Sequence, residues 1–343
     1  MIYRSKAPLR IGLAGGGTDV SPYSDMYGGA ILNATLSLYA HATIEPLAEN
    51  IIILQGLDRK EEQRYEGGTE LTELPIDGKL DLLKGVYNRI RKEYGLPVTG
   101  FRLSTFVDAP AGSGLGTSST LVVAIIGVFA EMLRLPLGEY DIAHLAYDIE
   151  RKDLQMAGGK QDQYAATFGG VNYMEFYSGD KVIVNPLRVK QQYLFELENN
   201  LLLYYTATSR ESAKIIEKQS QNVVDKKEGS IEAMHQLKHQ AQLMKEALLK
   251  GRIHEIGEIL DFGFRQKLKM AEGISNALIE DIYGQAIQAG ATGGKISGAG
   301  GGGFMTFYCP AISKYRVMEA LAKLGGHCQP YQFTDHGLTS WTI

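Results

Sequence analysis

The feature that most constrains this chain is the placement of its glycines. Forty of its 343 residues are Gly, and many lie in four clusters: Gly15–Gly17, Gly112–Gly116, Gly158–Gly159 and Gly290–Gly303. The ten prolines do not accompany these clusters in any linker-like tract. Clustered glycine is typical of backbone that approaches a ligand closely or takes a positive φ angle. The clusters therefore predict structured loops rather than flexible linkers.

Length and composition define the broad class. A chain of 343 residues fits two domains of roughly 150–200 residues each. Its 44% apolar and 22% charged residues are typical of a globular protein. The net charge of -4 gives no electrostatic reason to expect nucleic acid.

Cysteine content and the apolar runs predict a soluble, cytoplasmic protein without a membrane partner. Cys309 and Cys328 are the only cysteines, which argues against a disulfide framework and for a reducing compartment. The first residues lack the apolar core and cleavage site of a signal peptide. The longest apolar stretch, Leu121–Ala130, is far shorter than a membrane span.

The apolar patterns predict a strand-rich first half and a helix-rich second half. In the first half the predicted strands are Met1–Leu13, Ala40–Leu47, Phe101–Val107, Gly170–Phe176 and Lys181–Pro186, and the helices are Asp81–Tyr94, Ser118–Leu133 and Glu139–Met156. In the second half the predicted strands are Leu201–Thr206, Phe304–Tyr308 and Cys328–Phe333, and the helices are Ser209–Val224, Glu232–Leu249, His254–Met270, Asn276–Ala289 and Ile312–Leu324. Because the two kinds of element come in runs, we expect an α+β fold, with domains at residues 1–185 and 186–343.

The segment Pro110-Ala-Gly-Ser-Gly-Leu-Gly-Thr-Ser-Ser119 joins a predicted strand to a predicted helix. Its alternating glycines let successive N–H groups converge, and the helix adds the positive end of its dipole. We therefore expect it to bind nucleotide phosphates through Pro110, Gly112, Ser113, Gly114, Leu115, Gly116, Thr117, Ser118 and Ser119. A glycine-rich turn without a ligand is the alternative for the loop taken alone.

Two familiar phosphate loops do not match this segment. A Walker A motif ends in Gly-Lys-Ser/Thr, which is absent here. The dinucleotide fingerprint requires a third glycine where this chain has Thr117.

Three motifs together resemble those of the GHMP kinase superfamily, whose members include galactokinases and the homoserine, mevalonate and phosphomevalonate kinases. Pro8–Asp19 is similar to the first motif, Pro110–Ser119 to the phosphate-binding second motif, and Lys295–Gly303 to the third. They lie in family order across nearly the whole chain. The resemblance implies a ribosomal-protein-S5-like N-terminal domain and a ferredoxin-like C-terminal domain, with ATP and substrate in the cleft between them.

The resemblance also implies a catalytic set. It places the Mg²⁺ ligands at Ser118 and Glu150, both hard oxygen donors. Asp162 would accept the proton of the acceptor hydroxyl, and Arg10 would face it and offset charge in the transition state. The alternatives from the residues alone are ordinary: a solvated, paired Glu150, a helix-capping Asp162 and an exposed Arg10.

The substrate is indicated by the Gly-Gly-Gly-Thr-Asp19 segment, which is most similar to superfamily members that phosphorylate the anomeric hydroxyl of a heptose 7-phosphate. The expected substrate-binding residues are Gly16, Gly17, Thr18, Asp19, Tyr23, Gly300 and Gly301, with Arg210 as reader of the substrate's phosphate. Asp19 could instead form an Asx turn, Tyr23 could simply pack, and Arg210 could be solvated beside a helix cap. Lys160, Arg188 and Lys190 are alternative phosphate readers.

We therefore expect an ATP- and Mg²⁺-dependent kinase of a small-molecule sugar phosphate, with a homo-oligomer left open. A galactokinase-like or fucokinase-like enzyme acting on an unphosphorylated sugar is one alternative. A non-catalytic sensor of ATP and sugar is another. Arg10, Ser118, Glu150 and Asp162 together argue against the sensor, because binding alone does not need the aspartate.

Overall fold

The computed structural model of the chain describes residues 1–66, 73–96, 100–208 and 212–343. The strands are β1 (Tyr3–Ala14), β2 (Gly29–Pro46), β3 (Ile51–Gly56), β4 (Glu61–Glu66), β5 (Phe101–Val107), β6 (Val171–Phe176), β7 (Val182–Pro186), β8 (Leu201–Tyr205), β9 (Gly293–Ile296), β10 (Phe304–Tyr308), β11 (His327–Cys328) and β12 (Thr339–Thr342).

The helices alternate with these strands in groups. They are α1 (Tyr23–Tyr27), α2 (Asp81–Tyr94), α3 (Thr117–Leu133), α4 (Glu139–Asp148), α5 (Gln161–Phe168), α6 (Gln191–Asn200), α7 (Ser212–Val224), α8 (Glu228–Lys250), α9 (Ile256–Lys267), α10 (Ala277–Ala289) and α11 (Ser313–Leu321). A π-helical turn, Ile149–Asp153, follows α4, and 3₁₀ turns lie at Ile253–Glu255 and Ala322–Leu324.

The larger sheet has eight strands, and the long β2 strand organises it. The order is β12-β1-β2-β5-β3-β4, while β6 pairs with the first part of β2 and β7 pairs with β6. All pairings except the parallel β3–β5 pair are antiparallel. The apolar helix α3 lies buried against this sheet.

The smaller sheet has four antiparallel strands in the order β11-β8-β10-β9. A second core forms where its apolar side chains, such as Phe307, meet buried residues of the C-terminal helices, such as Ile282 and Val317. The α+β architecture expected from the sequence is confirmed. The boundary near residue 185 stays a prediction, and Thr339–Thr342 returns to the larger sheet beside β1. Among the described residues, no helix combines the length and apolar character needed to cross a bilayer.

Candidate active site

The glycine clusters meet at a cleft of about 400 Å³ that both halves of the chain line. Its walls bring together residues that are far apart in sequence, among them Arg10, Gly16, Gly17, Asp19, Gly112, Gly114, Gly116, Thr117, Ser118, Ser119, Glu150, Asp162, Lys267, Lys295 and Gly298. Most residues that the sequence predicted for the site are therefore at this cleft.

The predicted phosphate loop has the conformation that its glycines allow. Gly112, Gly114 and Gly116 have φ angles of 73°, 83° and 79°, where residues with a Cβ atom are strained. The helix α3 starts directly after Gly116, and its first turn contains no acidic residue. The unpaired N–H groups at this helix end and its dipole therefore favour an anion in the cleft.

The fourth glycine cluster, which contains the third motif, packs backbone to backbone against this loop. The Phe304 N–H donates to the Ser113 carbonyl at 2.8 Å. A Cβ atom on Gly303 would lie 2.4 Å from the same oxygen, and one on Gly298 would lie 2.8 Å from Gly114 Cα. Gly298 and Gly303 thus allow the close contact between the two loops.

Arg10 connects the loop to Asp162. Its Nε donates to Asp162 Oδ1 at 2.7 Å, its Nη2 is 2.6 Å from the same oxygen, and its Nη1 donates to the Gly114 carbonyl at 2.7 Å. The Arg10 side chain is only 4% exposed, so it is not the solvated arginine of the alternative interpretation. The arrangement places a carboxylate and a permanent cation beside the phosphate loop.

Asp19 caps the helix that carries Asp162. Its buried Oδ2 accepts the backbone N–H groups of Lys160 at 2.9 Å and Gln161 at 3.1 Å, at the start of α5. A Cβ atom on Gly159 would lie 1.8 Å from that oxygen, which explains this glycine. Burial raises the pKa of Asp19, the two hydrogen bonds oppose the shift, and the charge of Asp162 adds to it. Asp19 thus positions α5 and also lines the cleft.

Glu150 lies in the π-helical turn after α4, a rare geometry that is frequent at functional sites. It is 1% exposed, so the solvated charge of the alternative interpretation is excluded. The Gln163 amide donates to Glu150 Oε2 and, at 3.1 Å, to Ser119 Oγ. Burial raises the pKa of Glu150, while nearby Arg151 and the hydrogen bonds lower it.

Several expected substrate residues lie away from the cleft lining. Tyr23 is fully buried, and its hydroxyl bonds to His235 Nδ1 at 2.8 Å, because α1 packs against α8. Thr18 is also buried and donates to the Gly15 carbonyl at 2.8 Å. Gly301 donates to the Ile274 carbonyl at 2.8 Å, and a Cβ atom on Gly300 would lie 2.7 Å from the same oxygen. Arg210 lies outside the described residues.

Sequence reasoning missed two buried amines, those of Lys267 and Lys295, which are 5% and 6% exposed and line the cleft. Lys295 belongs to the third motif, but nothing in the local pattern shows that its ammonium is buried. The alternative reader Lys160 instead pairs with Asp25 and Asp180, each at 3.2 Å.

Two parts of the chain match models of a known protein family. The model of the GHMP kinases N terminal domain matches residues 81–170, and that of the GHMP kinases C terminal matches residues 244–326. The chain belongs to the GHMP kinase family, whose members are ATP-dependent phosphotransferases.

Two relatives align over the whole chain. The D-glycero-alpha-D-manno-heptose 7-phosphate kinase of Campylobacter jejuni is 49% identical, with 99% of each chain covered. The crystal structure of a D-glycero-D-manno-heptose 1-phosphate kinase from Bacteroides thetaiotaomicron superposes with a TM-score of 0.85 at 47% identity, with 99% of each chain covered.

More distant relatives show where the likeness weakens. The bifunctional fucokinase/GDP-fucose pyrophosphorylase of Arabidopsis thaliana is 27% identical over 98% of this chain and 32% of its own length. The galactokinase of Lactococcus lactis in complex with galactose superposes with a TM-score of 0.75 at 16% identity, over 98% of this chain and 95% of its own, which supports the shared fold alone.

Proposed function

We propose that this kinase transfers the γ-phosphoryl group of ATP to the anomeric C1 hydroxyl of D-glycero-D-manno-heptose 7-phosphate. The observation that carries the proposal is the Arg10–Asp162 pair beside the glycine loop. The likeness to a heptose 7-phosphate kinase over 99% of both chains supports the substrate class.

In this proposal Asp162 accepts the proton of the acceptor hydroxyl. An anomeric hydroxyl is more acidic than an ordinary alcohol because the ring oxygen stabilises the alkoxide, so modest help from a base is enough. Arg10 holds the carboxylate in place and offsets negative charge that develops during transfer. The N–H groups of the loop and of the start of α3 would hold the phosphates.

The donor set also fits Mg²⁺. Glu150 is a buried carboxylate, and Ser118 adds a hydroxyl in the same cleft. The described residues contain no cluster of three His, Cys, Asp or Glu side chains that could hold a metal. A donor set of two oxygen ligands suits Mg²⁺, which usually keeps several waters and also binds phosphate oxygens. When bound, Mg²⁺ would neutralise phosphate charge.

Asp19, Gly16 and Gly17 form the part of the cleft to which we assign the sugar. The two glycines leave room for a ring close to the backbone, and the Asp19 carboxylate is an acceptor for hydroxyl groups. Gly12 lies beside them on β1 and widens the same space.

We assign a cytoplasmic location on the cysteine content, since both thiols, Cys309 and Cys328, are free. A homo-oligomer stays a prediction that light scattering can check.

An assay of ADP release over a panel of acceptors tests the proposal. The panel contains the heptose, its 1-phosphate and its 7-phosphate, with fucose, galactose and mevalonate. We expect the largest kcat/KM on the 7-phosphate, and ³¹P NMR should then show a new phosphate at C1. The 1-phosphate arm matters because the names of the two relatives give different phosphate positions. Preference for fucose or galactose, or no turnover with any acceptor, would contradict the proposal.

A further inference from the structure

Two buried ammonium groups face the cleft beside the proposed sugar site. Lys267 ends α9, and its Nζ donates to the Gly298 carbonyl at 2.5 Å. Lys295 lies in β9, and its Nζ donates to the Gly12 carbonyl at 2.5 Å. The mechanism proposed above uses neither of them.

Neither of these ammonium groups forms an ion pair with any described residue. Other buried lysines of this protein do: Lys84 lies 2.5 Å from Asp77, and Lys160 lies 3.2 Å from both Asp25 and Asp180. Buried charges in proteins are normally paired, because an unpaired charge loses its hydration without compensation. Two buried amines side by side without a carboxylate partner therefore indicate a place where an anionic group can bind.

Electrostatics supports this interpretation. Burial lowers the pKa of Lys267 to about 8, with Arg10 adding to the shift and Asp19 opposing it. The pKa of Lys295 is lowered well below its ordinary value by burial and by the charges of Lys267 and Arg10. A bound anion would reverse both shifts.

The space in front of the two amines is on the sugar side of the cleft. A Cβ atom on Gly16 would lie 3.8 Å from Lys267 Nζ and 4.0 Å from Lys295 Nζ, so one small group at that point would contact both. A Cβ atom on Gly12 would lie 3.6 Å from Lys295 Nζ. The glycines of the first motif thus leave open the position from which both amines can be reached.

We propose that Lys267 and Lys295 bind the phosphate monoester that the sugar already carries, the one that does not react. This inference rests on the proposed function. Among the readers considered from sequence, Lys160 is engaged by two carboxylates, and Arg188 and Lys190 are not in the cleft lining. A phosphate dianion between two ammonium groups forms charge-assisted hydrogen bonds.

The test compares Lys267→Met and Lys295→Met with wild type on the heptose 7-phosphate and on the same heptose without phosphate. We expect each variant to lose about 10–100-fold in kcat/KM on the 7-phosphate, mainly through KM, and to change little on the unphosphorylated sugar. Lys269→Met is the matched control, because Lys269 is exposed two residues from Lys267. Equal losses on both sugars would overturn the proposal and assign the lysines to the transferred group or to folding.

Binding to wild type gives a readout that does not depend on variants. Affinity for the 7-phosphate, measured by calorimetry, should fall as pH rises through about 8, because Lys267 loses its proton there. Affinity for the unphosphorylated heptose should not follow this profile. Equal affinities for the two sugars, or parallel pH profiles, would contradict the subsite.

The subsite and the proposed function can fail separately. With the loop filled by ADP, inorganic phosphate should bind wild type at least ten times more tightly than Lys267→Met, whatever sugar the enzyme uses. If phosphate binds both equally while the 7-phosphate is turned over, the subsite is wrong and the function stands. If phosphate discriminates but no heptose phosphate is a substrate, the function is wrong and the anion site stands.

Discussion

Arg10 makes three contacts that join parts of the site which are far apart in the chain. Two of them hold one oxygen of Asp162, and the third holds the Gly114 carbonyl of the phosphate loop. In the proposed mechanism, the second carboxylate oxygen of Asp162 accepts the proton of the acceptor hydroxyl. A single guanidinium group therefore links the Asp162 carboxylate directly to the glycine loop.

We expect Asp162→Asn to lower kcat by ~10²–10⁴-fold, the usual effect of losing a general base. ADP affinity should stay near that of wild type, because in the proposed function the loop holds the phosphates through backbone N–H groups. Steady-state assays and calorimetry measure the two quantities, and Asp335→Asn, at an exposed aspartate, is the control. Activity within a few-fold of wild type would remove Asp162 from the proposed role.

Glu150→Gln should weaken the enzyme and stabilise the fold at the same time. Because burial raises the pKa of Glu150, its charged form costs folding free energy at neutral pH, where the carboxyl is ionised when unfolded. Glutamine removes that cost, and we therefore expect the Tm of this variant to rise above that of wild type. The Mg²⁺ concentration for half-maximal activity should increase.

Ser118→Ala is the companion variant for the metal. It should raise the same Mg²⁺ requirement without the gain in Tm, since it removes no buried charge. Titration curves that superimpose on wild type for both variants would show that the metal is held elsewhere.

The difference in Tm between Glu150→Gln and wild type should disappear below pH 4. At that pH the Glu150 carboxyl is protonated in the unfolded chain as well as in the folded protein.

At the residue level, the motifs predicted which side chains meet but not their burial. The resemblance to GHMP kinases implied Arg10, Asp162, Ser118 and Glu150, and the structure brings them to one cleft. Tyr23 was expected in the sugar site, but the face that a five-residue helix buries depends on α8, which is distant in sequence. The sequence around Lys267 did not indicate that this side chain is buried, because its burial arises from packing between elements.

Among the elements, those with a one-sided apolar pattern were predicted best. The helix Asp81–Tyr94 and the strand Phe101–Val107 have the bounds that their periodicity indicated. The first part of β2 was missed because Gly29–Leu36 is buried on both faces and so does not alternate. Alternation of apolar and polar residues arises only when one face of a strand is buried. A strand that is buried on both faces therefore shows no alternation.

The contact between the second and third motifs predicts a specific glycine effect. Gly303→Ala should lower ADP affinity at least tenfold, since a Cβ atom there would displace Ser113 of the phosphate loop. Gly325→Ala is the matched control, because Gly325 has a similar positive φ of 80° and nothing within 4 Å of the added atom. Both should lose ~1–2 kcal/mol of stability from backbone strain. Equal ADP affinities in the two variants would contradict the proposal that the third motif supports the phosphate loop.

Across the whole molecule, the larger sheet is completed by residues from both ends of the described chain. β12 pairs with β1 from Tyr3↔Thr342 to Lys6↔Thr339, and the backbones of Ile2 and Ile343 exchange two further hydrogen bonds. Strand β1 continues directly into the first motif of the active site. The outer edge of the sheet therefore supports the strand that carries Arg10.

Deleting Thr339–Ile343 should lower Tm by several degrees, because the lost ladder hydrogen bonds contribute about 1 kcal/mol each. Differential scanning calorimetry measures the shift. Replacing the same residues by a Gly-Ser segment of equal length should have a similar effect, since pairing and not length is lost. An unchanged Tm in both would mean that β12 adds nothing to the sheet.

The backbone hydrogen bond from Phe304 to Ser113 can form only after both residues have been synthesised. A ribosome that adds about 5–20 residues per second needs roughly 10–40 s to proceed from the phosphate loop to Phe304. During that interval the growing chain already carries the loop, but its supporting partner has not been synthesised. We therefore expect that a nascent or prematurely terminated chain does not bind ATP. Nucleotide binding should begin only after translation has passed the third motif.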